Sequence, residues 1–163
     1  MTKTARKPRS DSVSNAIRIM QGAKREIAPP THIPLQDIDW PFWESVVAEF
    51  ARADWTEHAL ELAAMLARTM AEAEENQRLM REEGVIIERD TLNKEGQVIR
   101  TVTIENPRAR VCQSLMGQIL ALRRSLALHA KAKSGSNADA GKQRGANKRT
   151  EQAAANEDDG LLS

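Results

Sequence analysis

Few side chains in this 163-residue sequence have the type and spacing for covalent chemistry. His32, His58 and His129 lie in three separate segments, without the spacing that gathers ligands around a metal ion. His58 beside Glu57 reads as a surface pair at a helix start, not as an acid–base couple. Cys112, the single cysteine, falls on or beside an apolar helix face, the setting of a buried inert thiol. One cysteine also excludes an internal disulfide framework and a cysteine-based zinc site. Glu72, Glu74 and Glu75 form a solvated acidic face, and no glycine-rich phosphate loop with its lysine is present. No catalytic residue, metal or cofactor is assigned, and no enzymatic activity is expected from this chain alone.

The chemistry that the sequence does offer is cationic. Residues 1–25 carry Lys3, Arg6, Lys7, Arg9, Arg18, Lys24 and Arg25 against Asp11 alone, a balance of +6. Residues 26–133 balance at −4 and residues 134–163 at −1, so the formal net charge of +1 hides the asymmetry. A basic segment on an acidic body is the charge pattern of an arm that meets a polyanion. These seven cations suit phosphate better than base edges, so binding per subunit should be weak and salt-sensitive. Asn15 and Gln21 are candidates for added base or sugar contacts. Arg123 and Arg124, then Lys131 and Lys133, form a second cluster, read as a solvated helix end that complements the helix dipole. Trp40 and Trp43, one helical turn apart, read as core rather than as a platform for bases.

The elements that must position these residues are mainly helical. The composition is 40% hydrophobic and only 3% aromatic, rich in Ala, Leu, Glu and Arg. No apolar run approaches the ~20 residues of a membrane span, and the basic N-terminus lacks the apolar stretch of a secretory signal. A soluble intracellular protein is expected. Residues 1–11 should lack order, and a short helix from Ser12 to about Ala23 presents Val13, Ile17 and Met20 as a stripe. Pro29, Pro30 and Pro34 impose an extended connector. A second helix starts at Trp40-Pro41, runs to about Arg52, and buries Trp43, Val46, Val47 and Phe50.

Asp54-Trp55-Thr56-Glu57 reads as a capping box for a long helix to Glu83, with Gly84 as its stop. The period then changes. Residues 85–104 read as a β-hairpin, with β-branched runs on either side of Asn93-Lys94-Glu95-Gly96. Asn106-Pro107 opens a last helix to about Lys133, with Val111, Leu115, Ile119, Leu122 and Leu126 as one stripe widened by Cys112, Met116 and Leu120. Residues 134–163 cannot bury enough apolar surface to order themselves.

The expected fold is therefore mainly α (α+β). A basic arm and first helix (1–25) precede a proline spacer and Trp-bearing helix (26–54), a core of two long antiparallel helices joined by the hairpin (55–133), and a disordered tail (134–163). A lone two-stranded hairpin is marginal in water. This one carries Val85, Ile86, Ile87, Val98, Val102 and Ile104, and the chain offers no further strand. Pairing between copies of the chain is the economical solution. Val85, Ile87, Val98, Val102 and Ile104, with Leu115, Ile119 and Leu122 of the last helix, are the candidate oligomerisation residues. The competing arrangement folds the hairpin back on its own helices.

This layout resembles the small terminase subunit of tailed double-stranded DNA bacteriophages. The resemblance covers roughly residues 25–133 and lies in an order of features. These are a basic N-terminus, the spacer Ala28-Pro29-Pro30 to Pro34-Leu35, and the Trp40/Trp43 helix. The long helix from Asp54-Trp55-Thr56-Glu57 to Glu82-Glu83-Gly84 follows, then a β segment, Glu105-Asn106-Pro107 and a Leu/Arg-rich helix. At the end of that helix Leu126-Ala127-Leu128-His129 replaces the family's Gly-Leu-Thr-Pro-like stop.

The resemblance implies a ring of about nine subunits, with the hairpins as a barrel on one face. It implies recognition of viral double-stranded DNA at its packaging start, in the host bacterial cytoplasm. The partner is a large terminase carrying the ATPase and nuclease, with Leu161-Leu162 as a candidate contact, and no membrane is involved. Two rivals read the residues differently. A dimeric helix–turn–helix transcriptional regulator would use helices 40–52 and 55–83 across Ala53-Asp54, although Asp54, Glu57 and Glu61 would repel phosphate from the second helix. A virion adaptor on the same stalk would bind protein only.

Overall fold

A computed structural model describes residues 13–128 and 136–160. Among them are five α-helices and one antiparallel hairpin: α1 (Val13–Gly22), α2 (Trp40–Val47), α3 (Glu57–Glu83), β1 (Ile86–Leu92), β2 (Val98–Glu105), α4 (Arg108–Ser125) and α5 (Ser136–Gly160). No described helix is long and apolar enough to cross a membrane.

The stalk is α3 against α4. Ala63, Ala64, Ala67, Ala71 and Ala73 are buried on α3, and such small side chains admit close neighbours. Cys112, Leu115 and Ile119 are the buried residues of α4. The helices run antiparallel: Arg108 at the start of α4 meets Glu83 at the end of α3, and Arg123 near the end of α4 reaches Met70. At one end of the stalk, α2 packs on α3 and builds a head around Trp43, Val46 and Trp55.

The caps of α3 divide between expectation and correction. Thr56, not Asp54, caps the helix, its Oγ1 accepting from Ala59 N at 3.2 Å. Asp54 is instead bonded to Arg18 and Asn147. Gly84 closes the helix at φ +91°, a conformation that only glycine adopts readily. The second helix also ends earlier than Arg52. The Val47 carbonyl accepts from the Trp55 indole at 3.1 Å, so α2 stops there and residues 48–56 form an irregular link with a short 3-10 turn at Arg52–Asp54. This link is longer than the three to four residues of a helix–turn–helix turn.

The hairpin turns where the sequence places it. Gly96 has φ +82°, and the Asn93 side chain accepts from Glu95 N at 2.9 Å and Gln97 N at 2.8 Å. The register sets Ile87 opposite Ile104, Arg89 opposite Val102 and Leu92 opposite Val98, with a bulge next to Leu92. Apolar side chains thus gather at the base and the tip, with a polar middle where Thr101 Oγ1 donates to Asp90 at 2.6 Å. Val85, Ile86, Leu92, Val98 and Ile99 are exposed. The hairpin pairs with no other described strand and projects from the stalk rather than folding back on it.

The helix that follows Asn106-Pro107, α4, ends at Ser125, short of Lys133. Leu128 N donates to Arg123 O at 2.7 Å and Ala127 N to Arg124 O at 2.9 Å, the double closure of a Schellman motif. Ala127 takes φ +53°, at the place where such motifs usually hold glycine. A left-handed alanine costs roughly 1 kcal/mol. Ala127→Gly should therefore raise stability by about 1 kcal/mol, read as a Tm rise of about 2–4 °C in thermal unfolding.

Residues 136–160 form α5, although they contain no Leu, Ile, Val, Met or Phe. Ala, Gln, Lys, Arg and Glu have high helix propensity, and polar contacts seat the helix on the head.

Candidate nucleic-acid interface

Among the described cations of the N-terminal segment, Arg18 is on α1 and Lys24 and Arg25 are on the connector behind it. Lys3, Arg6, Lys7 and Arg9 lie outside the described residues, as do His129, Lys131, Lys133 and Leu161-Leu162. Arg18 sits half-exposed at the joint of α1 with the Arg52–Asp54 turn. It donates to Ala53 O at 2.8 Å, to Asp54 Oδ1 at 2.7 Å and to Asn15 Oδ1 at 3.1 Å. Arg25 donates to Trp55 O at 2.7 Å and to Glu57 Oε1 at 2.8 Å. Lys24 lies between them in sequence and is exposed, as is Gln21. Acidic residues at the start of α3, which count against that helix as a reader of DNA, thus act on the arginines of the N-terminal segment.

The face by which α1 docks is not its apolar stripe. Val13, Ile17 and Met20 are exposed, whereas Asn15 and Ile19 are buried. Gly22 explains the orientation: a Cβ there would lie 2.4 Å from Ala53 Cβ, so only glycine lets α1 approach the turn. Asn15, a candidate base contact, spends its amide on Asn147 at 2.9 Å. Sequence reasoning missed Asn147, Asp54 and Glu151 as partners of this cationic face. For Asn147 and Glu151 the one legible signal was the run of basic residues followed by acidic ones around them.

The candidate oligomerisation residues separate into two groups. Val85 and Val98 are exposed and Ile87, Val102 and Ile104 half-buried on the hairpin. Leu115 and Ile119 are buried and Leu122 packs beside them, all inside the protomer core. Met116 and Leu120, on the other side of α4, are exposed.

The chemistry expected to be absent has these surroundings. His32 and His58 both approach Glu61, at 3.3 and 3.2 Å, so His58 pairs with Glu61 rather than Glu57. Cys112 is buried. Among the described residues no three His, Cys, Asp or Glu side chains are grouped to hold a metal. Perturbed carboxyls lie at the hairpin base. Hydrogen bonding to Arg108, then to Asn106, holds Glu83 below the usual carboxylate range, and Arg78 does the same for Glu75. Both pairs are partly exposed salt bridges that brace the end of α3.

These features define a mainly helical subunit, with a cation-bearing head at one end of a stalk and an exposed β-hairpin at the other. The chain belongs to the Hendrixvirinae small terminase family, whose family model matches residues 1–163, the whole length. It is a small subunit of phage DNA packaging. No curated protein matches the chain.

Proposed function

We propose that this chain assembles as a ring, holds viral double-stranded DNA at the packaging start through its basic N-terminal segment, and regulates the large terminase that carries the ATPase and nuclease. It does this in the host bacterial cytoplasm and catalyses no reaction itself. The whole-chain family match carries this reading. The hairpin supports the ring, since two strands with open edges and exposed Val85, Ile86, Val98 and Ile99 call for strands from other copies. The +6 balance of residues 1–25 supports phosphate contact, multiplied by the number of subunits.

Native mass at moderate salt is the direct test. A closed species of about nine subunits is expected. A monomer or dimer at micromolar concentration would overturn the ring and favour the dimeric regulator. The DNA role is tested in the same preparation. Alanine at Lys3, Arg6, Lys7 and Arg9 should weaken DNA binding and flatten the slope of its logarithmic salt dependence by about 0.9 for each phosphate no longer neutralised. Unchanged affinity would favour the protein-only adaptor.

A further inference from the structure

We infer that α5 is a detachable strap that holds α1 on the head and competes with DNA phosphate for the face carrying Arg18 and Arg52. The inference rests on the proposed DNA role of the N-terminal segment.

The seat of α5 is almost wholly polar. Asn147, buried, accepts from Asn15 Nδ2 at 2.9 Å and donates to Asp54 Oδ2 at 2.8 Å. The other oxygen of Asp54 holds Arg18. Glu151 accepts from Arg52 N at 3.1 Å and lies 3.7 Å from Arg52 Nε. Lys148 donates to Ala48 O, and Arg144 donates to Ala127 O while its guanidinium lies 4.5 Å from the Phe50 ring centre. Helices in proteins are held mostly by burial of an apolar face, and α5 has none. A cleft of about 1100 Å³ stays open between α1, α2 and α5, beside Met20, Trp40 and Gln152. Close-packed interfaces leave no such space.

The contacts also have a chemical pattern. Two guanidinium groups of the head, Arg18 and Arg52, face carboxylates, those of Asp54 and Glu151. Carboxylate and phosphate bind the guanidinium fork in the same way, so one displaces the other. Asn147 orients Asp54, and Glu151 arrives on α5 itself. Lifting α5 therefore removes one carboxylate, loosens the second, and takes Asn147 away from the Asn15 amide.

The experiment uses the full chain. Asn147→Leu keeps every charge and breaks both side-chain hydrogen bonds of Asn147; Glu151→Gln removes the carboxylate in a residue of nearly equal shape. Asn147→Leu should speed hydrogen exchange in α1 and in residues 141–152. It should also tighten binding of a short duplex about tenfold at low salt, as the competent fraction rises. Glu151→Gln should give about a threefold gain. Adding Arg18→Gln and Arg52→Gln together should abolish the gain in both backgrounds. Unchanged or weaker duplex binding in both variants would overturn the strap, as would a gain that survives loss of both Arg18 and Arg52, which would assign it to cations elsewhere. Absence of duplex binding in the parent chain and all variants would instead sink the DNA role itself, and the competition with it.

Discussion

Asn106→Leu should cost about 3 kcal/mol and uncouple the hairpin from the helices. Asn106 is 1% exposed and holds the crossing of α3, β1, β2 and α4. Its Nδ2 donates to Glu83 Oε2 at 3.0 Å and to Gly84 O at 2.9 Å, and its Oδ1 accepts from Arg108 N at 2.9 Å. Its main chain joins the same knot, with N donating to Val85 O at 2.8 Å. Leucine fills similar volume, so no cavity forms; the loss is three hydrogen bonds of a buried amide, with Gly84 O and Arg108 N losing this partner while Glu83 keeps Arg108. At about 1 kcal/mol for each bond of the buried amide, these account for the destabilisation.

Urea unfolding measures this cost, and hydrogen exchange along residues 85–105 should rise beyond the global change. The difference from the parent should shrink in acid. Glu83 is held below its ordinary range, so its bonds stabilise the fold above that range and vanish as pH falls through the lowered pKa. The variant has one of those bonds fewer to lose. If the proposed ring forms through the hairpins, this substitution should also lower the native mass.

The second large effect is at Trp55. Trp55→Ala should cost about 4 kcal/mol, within the usual range for a buried aromatic. The indole is 2% exposed, donates to Val47 O, and meets Phe50 edge-on with ring centres 4.8 Å apart. Its carbonyl receives Arg25, so the residue also fixes where the connector crosses the head. Trp55→Phe keeps most of the apolar contact and loses the N–H, and should cost about 1 kcal/mol. Chemical unfolding followed by circular dichroism separates the two. Equal costs would mean that the hydrogen bond, not burial, sets the corner.

Much of the stalk was legible because local chemistry and packing agree there. Gly84 and Gly96 need positive φ, Pro107 fits just ahead of a helix, and Leu115 and Ile119 repeat at helical spacing toward the alanines of α3. The head was harder, for particular reasons. Periodicity finds a stripe but not which neighbour it meets, so Val13, Ile17 and Met20 pointed to the wrong face of α1 while Gly22 recorded the true contact. Asp54 had the right type and place to cap α3, but a long-range arginine took it and Thr56 served. α5 has no apolar pattern to find, because its partners are carbonyls, carboxylates and one ring. The candidate DNA face was therefore legible as charge and illegible as geometry.

The length of α3 has a mechanical consequence. Its 27 residues make a rod of about 40 Å, anchored at Trp55 and carrying the hairpin at its far end. A rod of that length is a lever. A tilt of about 10° at the corner moves the hairpin base by roughly 7 Å, more than the spacing of neighbouring strands. Small rotations where the head grips the rod are thus magnified into whole-strand displacements at the tip, and the corner can gear events at one end of the molecule to those at the other.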